Sequence, residues 1–201
     1  MSFLKYIFTT ISQNSNAWKV QAFDGFLKGD ESVLDFGCGD LALAAVLLKK
    51  YPKLKITGVD VVDFSKKPKN IQYVSYNGSK LPFKNNSFDT VISFYVFHHC
   101  PSAAASFKEC ARVARGRIVF VESVYRYPWE RPFMKLLDWI YNKVKSESVP
   151  LSYQFLSYKG WQKVFIENNI KIKKSKRIKQ IFLPEILPIG ISYVFELAKT
   201  K

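Results

Sequence analysis

Acidic side chains are scarce in this sequence: 201 residues carry 16 Asp and Glu against 31 Lys and Arg, a formal net charge of +15. The imbalance excludes a strongly acidic, self-solvating chain. It suits an anionic partner (nucleic acid, anionic lipid or an acidic metabolite) as well as a plainly lysine-rich solvated surface. Cysteine is nearly absent too. Cys38, Cys100 and Cys110 form neither an even set nor a ligand spacing, which excludes a disulfide framework, leaves no metal site expected and points to a reducing, cytoplasmic setting. No stretch reaches the roughly 18 uncharged apolar residues of a spanning helix. Residues 1–11 are apolar but broken by Lys5, with no small-residue cleavage site after them, so a soluble chain is expected, with peripheral membrane contact still open. Histidine is confined to one adjacent pair, His98-His99, so imidazole chemistry can arise at one place only. There is no internal repeat and no low-complexity tract.

The length suits one domain with a sizeable core, spanning residues 1–201. Four parts are expected within it: an aromatic-rich helical cap over 1–30, a cofactor-binding core over 31–123, a helical insert over 124–169 that shapes the substrate side, and closing strands over 170–201. In the core, apolar runs alternate with helical periods. Strands are expected at about 32–36, 54–59, 71–75, 88–94 and 118–121. Helices are expected from Leu41 to Lys50 and from Ala103 to Ala114, the second capped by Ser102. Phe88 to Phe94, apolar at Phe88, Val91, Ile92 and Phe94, is expected to be buried on both faces. Strands and helices at this pitch predict a doubly wound, mostly parallel α/β sheet. Two β-like runs, Ile170 to Ile181 and Ile191 to Leu197, flank a connection holding Pro184, Pro188 and Gly190. They predict an antiparallel pair finishing one edge.

One stretch organises the rest. Val33-Leu34-Asp35-Phe36-Gly37-Cys38-Gly39-Asp40 runs from a buried strand through a two-glycine turn straight into a helix. Lacking Cβ atoms, Gly37 and Gly39 can take positive φ and leave bare backbone for a ligand. Asp60 follows Gly37 by 23 residues, at the end of the next apolar run. A carboxylate there can accept from both ribose hydroxyls, the spacing of a nucleoside-binding crevice. His98 and His99 fall at the carboxyl end of the fourth strand, where such sheets hold their substrates. Either could act as a general base, His99 being the better placed, or could simply pack and cap.

These segments, in their order, resemble the class I S-adenosylmethionine-dependent methyltransferases, specifically the type 11 methyltransferase domains. The resemblance rests on Val33–Asp40, Gly58–Asp60, Leu81-Pro82-Phe83, Ser87-Phe88-Asp89, Val91–His99 and Arg112-Val113-Ala114-Arg115, and covers about 32–123. It implies a seven-stranded Rossmann-like fold and S-adenosyl-L-methionine as cofactor. It places Asp35 near the cofactor's ammonium group, the backbone of Phe36, Gly37, Cys38 and Gly39 against the ribose and methionine, and Asp60 on the ribose hydroxyls. Val61, Asn77 and Gly78 fall around the adenine, and Phe94 at the end of the fourth strand. Three positions depart from the pattern. Asn77 stands where an aspartate is usual, Leu41 replaces the third glycine, and Arg115-Gly116-Arg117 replaces a longer turn.

The activity implied is methyl transfer to a small or lipid-like acceptor, at oxygen, nitrogen or carbon. Methyl transfer from a sulfonium is an in-line displacement, so alignment supplies most of the effect. The aromatics of 127–158 suit an apolar acceptor. Two alternatives stay open here. An RNA or protein methyltransferase would use the basic segment Lys171, Lys173, Lys174, Lys176, Arg177 and Lys179, although the nucleic-acid signature after the fourth strand is missing. A non-catalytic binding module of the same fold would not need intact Asp35, Gly37, Gly39 and Asp60.

Overall fold

The computed structural model describes residues 19–64, 68–145, 152–178 and 191–200. The expected helices over 3–18 and the proline-marked connection with Pro184, Pro188 and Gly190 lie outside the described residues, as does the end of the run to Ile181.

Seven strands form one sheet. β1 (Ser32–Phe36) leads into helix α1 (Ala42–Lys50), followed by β2 (Lys55–Asp60), β3 (Gln72–Ser75) and β4 (Phe88–Phe94). A 3-10 turn, Phe97–His99, precedes α2 (Ala103–Val113) and β5 (Ala114–Val124). Helices α3 (Glu130–Lys145) and α4 (Tyr158–Glu167) come next, then β6 (Ile170–Ile178) and β7 (Ile191–Lys199). The spatial order is β3-β2-β1-β4-β5-β7-β6. The first five strands are parallel, and β7 runs antiparallel to both β5 and β6. The order reverses between β1 and β4, so the chain ends leaving β1 and β4 flank a crevice at their carboxyl ends.

Both faces are covered, as a parallel sheet requires. On one side α2 and α4 set Phe107, Cys110, Trp161 and Phe165 against Phe120 and Phe195. On the other, α1 sets Leu43 and Leu47 beside Phe23 and Phe26 of the segment 19–27, helical over 19–23 and a turn after it. β4 is buried along its middle on both faces. Ser102 caps α2 by accepting from Ala105 N–H at 3.2 Å, and Asn169 ends α4 with positive φ.

Two expectations need correction. β5 is longer than expected because eight of its residues pair with β7, and that ladder carries the backbone beyond the apolar run. Arg115-Gly116-Arg117 is accordingly strand with a slipped register against β4, between Phe88 and Thr90, rather than a shortened turn. Arg117 then reaches inward, where it grips both carboxylate oxygens of buried Glu31 at 2.6 and 2.7 Å, while Thr90 hydroxyl donates to the same carboxylate at 2.7 Å. That cluster ties β5 and β4 to the start of β1.

Candidate active site

The turn after β1 is built by backbone donors and acceptors. Gly37 N–H and Cys38 N–H both donate to Val59 C=O, at 2.8 and 3.2 Å, so the turn is strapped to the end of β2. Gly37 (φ 70°) and Gly39 (φ 54°) are left-handed, as expected. Gly37 could carry no side chain, since a Cβ would lie 2.3 Å from Val96 Cγ1. At Gly39 nothing stands within 4 Å of where a Cβ would be, so its backbone opens on the crevice. Leu41 also takes positive φ (66°) without being glycine. Its side chain is fully buried, and the hole it fills exists because β2 has Gly58, where a Cβ would lie 2.2 Å from Leu41 Cδ2. Asp40 carboxylate caps α1 in its place, accepting from Ala42 N–H at 3.1 Å.

Asp60 closes the same turn from β2. One carboxylate oxygen accepts from Gly39 N–H at 2.8 Å and the other from Val62 N–H at 3.0 Å. Each oxygen keeps a lone pair for a further donor, so the placement fits a pair of ribose hydroxyls. Asp35 is 1% exposed and its Oδ2 has no hydrogen-bond partner. Burial pushes its carboxyl up to about 7, with Lys19 pulling it down and Asp60 and Asp40 adding to the rise. A buried, under-satisfied carboxylate is a place for a cation to bind.

The remaining candidates divide. Phe36 turns its ring into the core against Phe97 (5.4 Å, stacked), so only its backbone faces the turn. Cys38 Sγ is packed toward Gly58. Val61 is 40% exposed and lies 3.4 Å from where a Cβ of Gly78 would sit, so the two are packed together just beyond Asp60. Asn77 Oδ1 accepts from Ser79 N–H at 3.1 Å in a local turn, so its second lone pair is what remains for an adenine. Phe94 points toward the 19–27 stretch, 6.1 Å from the Phe23 ring and 5.8 Å from Lys19 Nζ.

The two histidines have unlike surroundings. His98 is buried, with Nδ1 2.6 Å from Glu122 Oε1, Nε2 3.5 Å from Asp138 Oδ1, and the ring stacked on Phe155. Burial alone would lower its pKa, but Glu122 and Asp138 outweigh it and raise the value to about 9. His98 is therefore an imidazolium at neutral pH, a donor and a fixed positive charge rather than a base. His99 is 14% exposed, with Nδ1 3.8 Å from Asp138 Oδ2. His98, His99 and Asp138 offer ligand atoms within 4.8 Å of one another. That is close enough for a divalent ion, but the imidazolium between two carboxylates already accounts for the arrangement as an ionic network.

Glu122 and Asp138 are residues that pattern reading missed. Glu122 leaves a signal, an acid directly after the apolar run of β5, which a buried position permits only with a partner. Asp138 leaves none, because its helix could face either way. Arg112 is visible in the sequence only as part of a motif, with no role: its guanidinium donates to Leu81 and Phe83 carbonyls (2.9 and 2.8 Å) and to Glu109. It fixes the Leu81-Pro82-Phe83 loop, which explains why those two segments occur together.

S-adenosylmethionine fits these groups. Bare backbone at Gly39, a carboxylate with free lone pairs at Asp60 and an unsatisfied buried acid at Asp35 lie around one crevice. Comparisons agree. The family model described as a methyltransferase domain matches residues 34–120. A demethylmenaquinone methyltransferase of Thermotoga maritima is 29% identical over 113 residues, 52% of this chain and 49% of its own. Another from Corynebacterium glutamicum strain R is 30% identical over 149 residues, 67% and 63% of the two chains. This chain thus spans about half to five-eighths of the length of these relatives. Magnesium protoporphyrin IX methyltransferase from Synechocystis PCC 6803 superposes with a TM-score of 0.64 at 16% identity, over 100% of this chain and 89% of that one. The ordered motifs, the sheet topology and these matches agree: residues 34–120 are similar to the type 11 methyltransferase domain family, and the chain has the fold of the class I S-adenosylmethionine-dependent methyltransferases.

Proposed function

We propose that the protein transfers a methyl group to a small, apolar, lipid-like acceptor. The observation that carries methyl transfer is Asp60, whose two oxygens are held by Gly39 and Val62 N–H groups beside a glycine turn open to the crevice. Bound S-adenosylmethionine supplies a sulfonium-activated methyl group. The chain's own work is placement: Asp60 holds the ribose end, Asp35 balances the ammonium, and the 3-10 turn with His98 and His99 borders the acceptor side.

His98, held positive by Glu122 and Asp138, would favour an acceptor that becomes anionic. His99 is the residue for removing the acceptor's proton where one must leave. Apolar acceptor chemistry is supported by the aromatic surroundings (Phe155 on His98, Tyr153 two residues before Phe155) and by the matched relatives, named as demethylmenaquinone methyltransferases. The basic strand β6 speaks less for RNA. It is the sheet edge, and exposed lysines there block edge-to-edge pairing.

Calorimetry tests the reading. S-adenosylmethionine should bind at micromolar strength, and Asp60→Ala should weaken it by about 2–4 kcal/mol through loss of charge-assisted hydrogen bonds. Unchanged affinity in the folded variant would place the ribose elsewhere.

A further inference from the structure

The outer face of α3 and the segment before it carries six large apolar side chains in the open: Tyr127, Trp129, Phe133, Leu136, Trp139 and Ile140, between 37% and 56% exposed. They make up six of the eight exposed large hydrophobics among the described residues. Positions 133, 136 and 140 recur at helical spacing, so they form one stripe rather than scattered contacts. Tyr127 stacks on Trp129, which meets Phe133 edge-on at 6.2 Å, extending the stripe beyond the helix.

The charges around the stripe have one sign. Arg131 and Lys143 are exposed beside it, with Lys143 Nζ 4.5 Å above the Trp139 ring. Both acids of the helix turn inward, Glu130 fully buried and Asp138 at 15% exposure. A protein partner's surface generally mixes both signs at the rim. An apolar stripe with aromatic ends, basic flanks and no exposed acid among the described residues of the helix instead matches the acyl–headgroup boundary of an anionic membrane. Trp and Tyr suit the headgroup level, and lysines and arginines reach lipid phosphates. The net charge of +15 adds long-range attraction of the same sense. No described helix is long and apolar enough to cross a membrane, so the contact would be in the plane of the surface.

We propose that α3 and residues 127–129 dock on an anionic lipid bilayer, the helix lying in the interface with its apolar stripe down. The opposite face of the same helix presents Asp138 to the histidine pair. A lipid-borne acceptor would therefore reach the site by passing one helix. That last step rests on the function proposed above; the docking does not.

The test is flotation of the full chain with phosphatidylcholine vesicles, with and without phosphatidylglycerol, requiring no turnover. Binding is expected with phosphatidylglycerol only and should weaken as salt rises. Trp129→Ser/Phe133→Ser/Trp139→Ser should lower partitioning by at least roughly tenfold while circular dichroism stays unchanged, since all three are exposed. Arg131→Glu/Lys143→Glu should give a comparable loss at low salt. Absence of binding to phosphatidylglycerol vesicles would overturn the proposal. So would binding that the triple serine variant leaves intact, which would assign attachment to another surface such as β6. A vesicle-free dimer that the same variant dissolves would give the face to a second copy. Vesicle binding without methyl transfer would leave docking standing and remove the acceptor reading.

Discussion

At Asp35 a carboxylate sits 1% exposed at the end of β1 with one oxygen unpaired, and desolvation raises its pKa to about 7. A cationic ligand group reverses that penalty by favouring the ionised form. S-adenosylmethionine should therefore bind the deprotonated protein, and its dissociation constant should rise by up to about tenfold per pH unit below pH 7. Calorimetry from pH 5.5 to 8.5, in buffers of differing ionisation heat, reads both the affinity and the proton released. Asp35→Asn should flatten the profile; a wild-type profile already flat would mean that the ammonium is met elsewhere. The effect on folding has its own sign. A carboxyl raised from 3.8 to about 7 contributes stability that is complete below 3.8 and lost as pH rises through 7.

The β1–α1 turn and the strand beside it are one packed object, because Leu41 at positive φ occupies the space that Gly58 leaves. Gly58→Ala would bring a methyl to 2.2 Å from Leu41 Cδ2 and 2.7 Å from Cys38 Sγ. It should cost about 1–3 kcal/mol in a denaturant titration and weaken cofactor binding, since Gly39 and Asp60 move with the turn. The 3-10 turn is a second such object. His98→Asn leaves Glu122 buried without its cation and should cost roughly 3 kcal/mol. Because the imidazole rises from 6.5 to about 9 on folding, its stabilisation is complete below pH 6.5 and lost as pH climbs through 9. Melting temperatures between pH 6 and 9.5 should show that fall in the wild type and lack it in His98→Asn. For His99→Asn the expected loss is in turnover, by 10²- to 10⁴-fold if it removes the acceptor's proton. Full turnover with His99 replaced would leave that proton to solvent.

For the whole molecule, a formal charge of +15 on 201 residues is a self-repulsion that folding concentrates. Exposed pairs such as Lys50–Asp24 and Lys163–Glu167 offset little of it. Raising sodium chloride from about 20 mM to 300 mM shortens the screening length several-fold and should raise the melting temperature by a few degrees. A fall would show that attractive pairs dominate instead.

The sheet was legible because its signals are local. A short apolar run such as Val33-Leu34 or Val91-Ile92 has few alternatives to a buried strand, and a Gly-x-Gly turn between strand and helix admits few geometries. The position of Asp60 was legible for the same reason, since its place at the end of β2 beside the glycine turn follows from a spacing along the chain. Tertiary structure alone decided the rest. It set Leu41 over Gly58, made the 115–117 segment part of β5, and turned Asp138 inward to join Glu122 on His98. Those outcomes depend on which residues far apart in sequence become neighbours. A helix period fixes which side chains share a face, while the fold fixes what that face meets, and so whether a histidine is a base or a buried cation.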